Sequence, residues 1–388
     1  MRSSAKRALL PGLRNPKTLC AANLQARRSF ASSLAPPPPP PPPSGLAALP
    51  SRRLVYVSGP HAARFLQGIV TANMLDSTGQ SRTDSFYNGF LNAKGRVVHD
   101  TFVYPVSGGL GGLGQDQGFL IEVDASQCAN FARHLRRYRL KAKVDVRELP
   151  PDQATVWQAW NEPTTMVPES GESQIVLQDP RAPGMGYRIL RLDDKSPEID
   201  VEQSNENAYT IRRYLRGVPE GRDELIAENA LPLESNMDIM NGIDFHKGCY
   251  VGQELTIRTK HLGVVRKRIL PCMVYGHTEP IPDTLTYKPG IDGSNGLTVD
   301  LVPGGTGIGR SGKKGRSAGK WLKGVGNIGL ALCRLEIMTD VVLPGEHAAE
   351  TYKEGDEFTL DWANKDGERV KVKPFVPDWL RQGLSATH

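Results

Sequence analysis

This chain of 388 residues lacks several patterns that would identify its chemistry directly. Its five cysteines form no CxxC pair and show no zinc-ligand spacing, so no single local motif supplies a four-cysteine metal site. No HExxH or P-loop sequence occurs, which removes the commonest metalloprotease and P-loop nucleotide-binding signatures. No apolar run approaches the roughly 18 residues of a membrane-spanning helix, so we expect no membrane insertion.

Acidic residues are absent from the N-terminal part of the chain. The first acid is Asp76, whereas residues 1–34 hold seven basic side chains among many Ser and Ala residues. This composition is typical of a mitochondrial transit peptide, so we expect residues 1–34 to be a transit peptide and the chain to act in the mitochondrial matrix. A disordered basic tail is the alternative. Without this segment 41 basic residues face 42 acidic ones, so the basic isoelectric point argues little for a nucleic-acid partner.

The order of compositional changes predicts the domain organisation. A run of prolines predicts a disordered spacer over residues 35–50. Mixed helical and strand patterns predict an N-terminal α+β domain at 51–150 and a second α+β domain at 151–262. Strand-like segments predict a C-terminal β-barrel at 263–388, with a mobile Gly/Lys-rich insertion near 304–326.

Individual elements follow from hydrophobic periodicity. Alternating or continuous apolar runs predict strands, and the apolar spacing of residues 128–138 and 208–216 predicts helices. The predicted strands are Leu54–Val57, Phe86–Leu91, Val97–Tyr104, Phe119–Val123, Val264–Tyr275, Phe358–Trp362 and Val370–Phe375.

The most distinctive string is Lys247-Gly248-Cys249-Tyr250-Val251-Gly252-Gln253-Glu254. Two glycines bound a bent segment that carries a single thiol, and a thiolate is both a nucleophile and a soft metal ligand. Cys249 is therefore the candidate functional thiol, with neighbouring positive charge expected to favour the thiolate. The alternative is a small buried apolar residue, as most free cysteines are. Cys128, Cys272 and Cys333 have the pattern of packing residues.

A second cluster lies in the segment 92–100, where a turn presents Lys94 and Arg96 and a strand carries His99 and Asp100. Successive strand residues point to opposite faces, so only one of His99 and Asp100 can face a given cavity. Asp100 is the weaker catalytic candidate. An exposed pair of strand residues is the competing interpretation.

Three segments together resemble a known family. They are Phe65-Leu66-Gln67-Gly68-Ile69-Val70-Thr71, Phe90-Leu91-Asn92-Ala93-Lys94-Gly95-Arg96, and the octet continued by Leu255-Thr256-Ile257-Arg258. The chain is similar to mitochondrial iron–sulfur cluster assembly factors of the CAF17/IBA type, which are related to glycine-cleavage aminomethyltransferase and to the bacterial YgfZ folate-binding proteins. The resemblance covers residues 52–275 well and the remainder loosely.

The resemblance implies an α+β fold of the aminomethyltransferase type, with mixed sheet domains around a cavity and a C-terminal β-barrel. It implies late-stage assembly of [4Fe–4S] clusters in the matrix, with A-type scaffold proteins as partners. Aconitase-like and radical-SAM enzymes, such as lipoyl synthase, would be the clients. Cys249 carries the family's signature thiol and would be one ligand of a transient iron or iron–sulfur site shared with a partner.

The chain departs from the catalytic relatives at two places. After the glycine turn the aminomethyltransferases have two adjacent acids, whereas this chain has His99-Asp100. They also have an acidic residue at the position of Cys249. These changes weaken a glycine-cleavage interpretation. A folate-dependent aminomethyl transferase with tetrahydrofolate as its ligand remains the alternative. Lys94, Arg96 and Lys247 are then candidate folate or anion contacts.

A third interpretation is an accessory to RNA modification or an interaction scaffold. The sequence leaves open whether any reaction is catalysed, whether Cys249 is exposed and what the oligomeric state is.

Overall fold

The computed structural model describes residues 37–106, 110–113, 117–161, 168–193, 195–289, 298–312, 315–343, 352–363 and 369–386. The predicted transit peptide at 1–34 lies outside these residues. Within them the chain forms fifteen strands and six α-helices. None of the helices in the described part is long and apolar enough to cross a membrane.

The elements follow one another in mixed order along the chain. The strands are β1 (Ser44–Ala48), β2 (Arg52–Ser58), β3 (Phe86–Leu91), β4 (Val97–Val106), β5 (Gly118–Asp124), β6 (Asp145–Glu148), β7 (Thr155–Asn161), β8 (Gln174–Gln178), β9 (Tyr187–Arg191), β10 (Lys267–Tyr275), β11 (Gly307–Arg310), β12 (Gly319–Val325), β13 (Ile328–Arg334), β14 (Phe358–Ala363) and β15 (Arg369–Pro374). The helices are α1 (Ala62–Gln67), α2 (Cys128–Tyr138), α3 (Glu206–Arg216), α4 (Gln253–Leu262), α5 (Leu335–Met338) and α6 (Asp378–Ala386).

The N-terminal sheet has five antiparallel strands in the order β3-β4-β5-β2-β6. All six residues of β3 are buried, because both faces of the sheet are covered. On one face, helix α2 packs Phe131 and Leu135 against the sheet. On the other face, Tyr87 and Phe102 join a cluster that includes Trp160 of the second sheet. The predicted strands and the α2 helix of this domain are confirmed.

A second sheet has four strands in the order β1-β7-β9-β8. Strand β1 lies in residues 35–50, so the prediction of a disordered spacer is wrong for Ser44–Ala48. The reason is burial: Leu46 is fully buried, and Gly45 lies flat against the ring of Trp160. The indole nitrogen of Trp160 also donates to Pro42 O at 3.0 Å, so the end of the proline run is tied to the sheet.

The C-terminal strands form a closed barrel in the order β10-β13-β12-β11-β14-β15. Pairing of β15 with β10 closes it, which confirms the predicted barrel. The prediction of a mobile insertion near 304–326 is wrong where β11 and β12 form barrel strands; residues 313–314 lie outside the described residues. Packing accounts for Gly324, because a Cβ there would overlap the buried ring of Trp321.

Candidate functional site

Cys249 lies in a surface loop, which we call the thiol loop (Lys247–Gly252). Cys249 is exposed, and a Cβ on Gly248 would find open space. Tyr250, in contrast, is only 6% exposed. Gly252 has φ +81°, the left-handed conformation that favours glycine, and helix α4 begins at the next residue. The loop therefore exposes Gly248 and its thiol, while Tyr250 and Gly252 are buried.

The first anchor of the thiol loop is the end of helix α1. Lys247 Nζ donates to three main-chain carbonyls, those of Gln67 at 2.9 Å, Val70 at 2.5 Å and Ala72 at 2.8 Å. The Val251 N–H donates to Gly68 O at 3.0 Å. An ammonium group has three N–H donors, so these carbonyls use all of them.

Burial shapes the electrostatics of this anchor. Desolvation lowers the pKa of Lys247 to about 7, and the carboxylate of Asp244 opposes the shift. The ammonium also lies 4.8 Å from the centroid of the Tyr250 ring. Lys247 is therefore an anchoring residue, because its side-chain nitrogen binds main-chain carbonyls at and after the end of helix α1. This differs from the expected role as a folate or anion contact.

The second anchor is the turn between β3 and β4. A Cβ on Gly252 would lie 3.2 Å from Gly95 Cα, and a Cβ on Gly95 would lie 2.9 Å from Gly252 O. The turn is shaped by Asn92, whose side-chain oxygen accepts from the N–H groups of Lys94 at 2.9 Å and Arg96 at 3.1 Å. Glycine at both contact positions lets the two backbones touch.

Thr71 joins these parts to the segment that precedes the thiol loop. Its hydroxyl donates to Gly242 O at 2.6 Å and accepts from the Gly89 N–H at 2.8 Å. Its carbonyl accepts from the Asp244 N–H at 3.0 Å. The structure thus brings together the three sequence segments that carried the family resemblance, although up to 180 residues separate them along the chain.

Lys94 and Arg96 belong to this region and not to the surroundings of Asp100. Both are at least partly exposed, and Arg96 Nη1 donates to Asn229 O at 2.9 Å. Neither lines the cavity that is bounded by Arg52 and Gly221, the two contacts of Asp100. The structure therefore does not bring Lys94, Arg96 and Lys247 together with Asp100 as one ligand pocket.

Asp100 lies in the interior, on the sheet face that meets the second sheet. Its carboxylate is 3.4 Å from Arg52 Nη1 and accepts from the Gly221 N–H at 3.1 Å. Burial raises the pKa of Asp100, and the Arg52 guanidinium opposes the shift. His99 points to the opposite face, where its ring packs edge-on against Phe131 at 5.0 Å. The prediction that His99 and Asp100 point to opposite faces of the sheet is confirmed.

The interpretation of His99 and Asp100 as an exposed pair is wrong. His99 is 7% exposed and Asp100 3%. Strand β4 is covered on both faces, so alternate residues are buried on either side of the sheet. Desolvation, reinforced by His134, lowers the pKa of His99 to about 3. The imidazole of His99 is therefore neutral at neutral pH.

Asp100 belongs to a buried network of ion pairs. Glu220 Oε2 accepts from Arg181 Nη1 at 2.7 Å, Arg188 Nη2 at 2.6 Å and the Tyr209 hydroxyl at 2.7 Å. The arginines, led by Arg188, hold the pKa of Glu220 well below its usual range against the effect of burial. Further members are Arg52, Asp179, Glu122, Arg213 and Glu224.

Sequence reasoning missed this network. Isolated Arg and Glu residues are typical of protein surfaces, so residue type alone predicted exposure. No spacing pattern marks them, since residues 52, 122, 181 and 220 come from different elements. Burial of a charge requires pairing, and only the tertiary structure places the partners.

A cavity of about 620 Å³ opens above this network. It is bounded by Arg52, Tyr209, Glu220 and the segment 220–224, with strand β12 of the barrel on the far side. Its volume lies in the range of small-molecule sites. The charged groups of its floor are already paired with one another, as Arg52 is with Glu122 at 2.7 Å.

The other cysteines are packing residues, as predicted. Cys272 and Cys333 lie in the barrel core with their sulfur atoms 3.9 Å apart. Burial raises the pKa of Cys272 well above its usual value. Cys128 is half-buried, and burial raises its pKa to about 11. Of the four thiols in the described residues, Cys249 is the one on the surface.

Metal-ligating side chains do not cluster around Cys249. In the described part of the chain, no group of three or more His, Cys, Asp and Glu side chains is placed to hold a metal ion. His246 is exposed next to the thiol loop, with its Nδ1 3.9 Å from Asp244 Oδ1. Cys249 thus presents one soft ligand and leaves the remaining positions of any metal site to another molecule.

Comparison with known proteins agrees with this architecture. A family profile described as "CAF17, C-terminal beta-barrel domain" matches residues 266–382. A solved structure of glycine cleavage system aminomethyltransferase T from Bartonella henselae is similar in fold, with a TM-score of 0.58 over 87% of each chain. Its sequence is 11% identical, so the likeness concerns the fold. The predicted aminomethyltransferase-type fold is confirmed.

Curated relatives are much closer in sequence. A Pyricularia oryzae protein named "Iron-sulfur cluster assembly factor IBA57 homolog, mitochondrial" is 52% identical over 88% of this chain and 86% of its own length. Proteins of the same name from Chaetomium globosum and Neurospora crassa are each 45% identical, over 88% and 92% of this chain and 85% of their own length.

Proposed function

Because this chain belongs to the IBA57 family of mitochondrial iron–sulfur cluster assembly factors, we propose that it assembles iron–sulfur clusters in mitochondria through Cys249. The observation that carries the proposal is the contrast within the thiol loop. Lys247, Tyr250 and Gly252 are fixed to the protein, whereas Cys249 is exposed between them. A thiol held in this way can meet iron on another protein without local unfolding.

The chemistry of Cys249 is ligand exchange. The thiol loses its proton to solvent, and the thiolate donates an electron pair to an iron atom of the cluster, which is the cargo. The new iron–sulfur bond replaces the bond from that iron to one ligand of the donor protein, and the displaced ligand takes up a proton. One thiolate is too few for a stable cluster site, so a partner contributes the other ligands. Transfer then consists of replacing the Cys249 sulfur by a ligand of the recipient.

The finer assignment follows from the family resemblance. We propose an A-type scaffold protein as the partner and late-stage delivery of [4Fe–4S] clusters in the matrix. Aconitase-like enzymes and radical-SAM enzymes such as lipoyl synthase are the proposed clients. The anchored loop supports this role, because a docking partner meets a preformed ligand position and loses less conformational freedom on binding.

Replacement of Cys249 tests the proposal in cells that lack the protein. Cys249→Ser keeps the size of the side chain and removes the soft ligand, so we expect the variant to accumulate normally while aconitase and lipoyl synthase activities stay low. Cys128→Ser is the matched control, because Cys128 is half-buried on α2 and outside the thiol loop. Full recovery of both client activities with Cys249→Ser would reject the role of the thiol.

A spectroscopic test addresses the shared cluster. The purified chain and an A-type scaffold protein are mixed with iron and sulfide, and the cluster is followed by its visible absorption. We expect a complex whose spectrum changes when Cys249 is replaced by Ser. Identical spectra for the two complexes would remove Cys249 from the ligand set.

Folate-dependent aminomethyl transfer is the second candidate, and the cavity of about 620 Å³ near Asp100 is the observation in its favour. The side chains fit a folate poorly. Two buried carboxylates line the cavity, and both already accept hydrogen bonds: Glu220 from Arg181, Arg188 and Tyr209, and Glu224 from Arg213 and Tyr214. Asp100, which does not line it, accepts from the Gly221 N–H. Recognition of a pterin ring needs free hydrogen-bonding groups, so no catalytic step is assigned to these residues.

Calorimetry with tetrahydrofolate separates the two candidates. We expect no heat of binding at high micromolar protein concentration. Clear saturable heat that is lost in a Glu220→Gln variant shown to be folded would support a folate site, because Glu220 borders the cavity. That result would leave the Cys249 test unaffected.

A further inference from the structure

We infer that a groove beside the thiol loop, which we call the basic groove, binds an acidic and partly apolar polypeptide segment of a partner protein. Two adjoining cavities of about 540 and 400 Å³ form it, and they share Leu231, Glu234, Lys267 and Arg334. The groove lies between the segment 224–235, helix α4 and the barrel strands β10, β12 and β13. This inference rests on the proposed function, because it names the partner chemistry that positions a cluster at Cys249.

The rim of the groove is strongly cationic. Six basic residues line the two cavities: Arg96, Arg266, Lys267, Arg316, Lys320 and Arg334. Two acids also line them, and both are neutralised. Glu224 is buried against Arg213 at 2.7 Å, and Glu234 pairs with Lys267 at 2.7 Å. Four of the six, Arg96, Arg316, Lys320 and Arg334, therefore face the groove without a carboxylate partner among the described lining residues.

Several of these cations are held in position without being neutralised. Arg96 donates to Asn229 O and Arg334 donates to Ser317 O, each at 2.9 Å. A main-chain carbonyl orients a guanidinium but leaves its charge in place. The structure gives the exposed side chains of Arg316 and Lys320 no hydrogen-bond or ion-pair partner among the described residues.

The floor of the groove is apolar. Leu231, Leu255, Val265, Leu322 and Leu332 contribute side chains to it. Ile226 at one end is 38% exposed, which is high for a large aliphatic side chain. An apolar floor with a cationic rim complements a segment in which Asp or Glu residues alternate with aliphatic ones.

Other ligands fit the groove less well. Among the described residues no aromatic side chain lines either cavity, so single-stranded nucleic acid would lack a stacking surface. The cations are distributed over both cavities, with Arg96 and Lys320 in one and Arg316 in the other, which suits an extended ligand better than a single small anion. An extended acidic segment satisfies both the apolar floor and the distributed charge.

The groove is continuous with the region around Cys249. Leu255, Thr256 and Thr259 of helix α4 line it, and α4 begins four residues after the thiol. Arg96 belongs to the turn that contacts Gly252. A partner segment lying in the groove is thereby held next to the thiol loop, and the groove supplies affinity that one Cys249–iron bond does not.

A peptide-binding experiment with the full chain tests this inference. The probe is a short fluorescein-labelled peptide of alternating Glu and Leu, followed by fluorescence anisotropy. We expect saturable binding that weakens as salt is raised, because exposed charges are screened. The double variant Arg316→Glu/Lys320→Glu is expected to bind at least about tenfold more weakly, since it replaces attraction by repulsion at two exposed positions.

Matched variants separate this outcome from general effects of charge and from the role of the thiol. Lys141→Glu/Lys195→Glu changes the net charge equally at exposed positions outside the groove and is expected to bind as the parent does. Cys249→Ser is expected to bind the peptide normally. Equal affinity of the groove variant and the parent would overturn the inference.

Two further results would also overturn it. One is equal binding of a peptide in which Ser replaces Leu, because the apolar floor would then be unused. The other is tighter, salt-sensitive binding of transfer RNA that the groove variant abolishes. Failure of the groove inference leaves the Cys249→Ser cell experiment decisive for the proposed function, so the two ideas can fail independently.

Discussion

Gly95 and Gly252 lie in backbone contact, although 157 positions separate them in the chain. Gly252 occupies φ +81° and Gly95 φ +72°, so both turns use conformations that favour glycine. The contact joins the β3–β4 turn to the thiol loop. The position of Cys249 therefore depends on glycine in both segments, in the β3–β4 turn and in the thiol loop.

Substitution of Gly252 by Ala is expected to damage this arrangement. The Cβ would meet Asn92 O and would strain a left-handed residue, so we expect a loss of about 1–3 kcal/mol in the free energy of unfolding. Urea denaturation measures the effect. Gly248→Ala is the control, because open space surrounds a Cβ there. Equal stability of the two variants would contradict the contact.

Substitution of Lys247 by Met is expected to loosen the thiol loop. It removes three N–H···O bonds to Gln67, Val70 and Ala72 and leaves their carbonyls without that donor. We expect a loss of about 2 kcal/mol in stability and faster hydrogen exchange at the Val251 amide. The exposed Lys94→Met serves as control. Unchanged exchange at Val251 would show that the loop is held by other contacts.

His99 is expected to make stability depend on pH. Its pKa is about 3 in the folded chain, because burial disfavours the imidazolium, against about 6.5 when unfolded. Between these values the unfolded chain binds more protons, so stability rises with pH from 3 to 6.5 and is lost as pH falls below 6.5.

The variant His99→Gln measures that contribution. In urea unfolding between pH 5 and pH 6.5, we expect the parent to lose about 1 kcal/mol per pH unit more than the variant. His261→Gln, at an exposed position, should retain the slope of the parent. Parallel curves for the parent and His99→Gln would show that other groups dominate acid unfolding.

Glu220 is expected to be important for folding. Replacement by Gln keeps the shape but removes the charge that faces Arg181 and Arg188, leaving buried cations with too few partners. We expect a loss of about 3–5 kcal/mol in the free energy of unfolding. The exposed Glu198→Gln should be neutral within about 0.5 kcal/mol. A neutral Glu220→Gln would mean that the network tolerates an uncompensated arginine.

The elements of this fold could be predicted where local pattern decides structure. Strand β3 was predicted with its observed ends, and α2 was predicted from the apolar spacing of residues such as Phe131 and Leu135. The predictions of secondary structure were wrong where local composition favours disorder but tertiary packing forms a strand. Strand β1 follows a proline run, yet it packs against the buried Trp160, and β12 is glycine- and lysine-rich, yet it carries the buried Trp321.

The site was predictable in part. Cys249 could be singled out, because a thiol between two glycines is a rare local pattern. Its exposure could not be predicted, since it depends on Lys247 reaching carbonyls near residue 70. The positions of Lys94, Arg96 and Lys247 relative to Asp100 could not be predicted for the same reason, because a long side chain can point toward any of several surfaces; their role as folate or anion contacts stays a prediction.

By itself, the amino-acid sequence determined the family, the fold type and the residue that carries the proposed chemistry. These depend on short-range information: hydrophobic period, turn-forming glycines and an octet of distinctive residues. The tertiary structure decided which groups are buried, paired or exposed. It made Asp100 part of an ion-pair network, Lys247 an anchor and Cys249 a surface ligand, because charge pairing and solvent exposure depend on contacts between segments far apart in the chain.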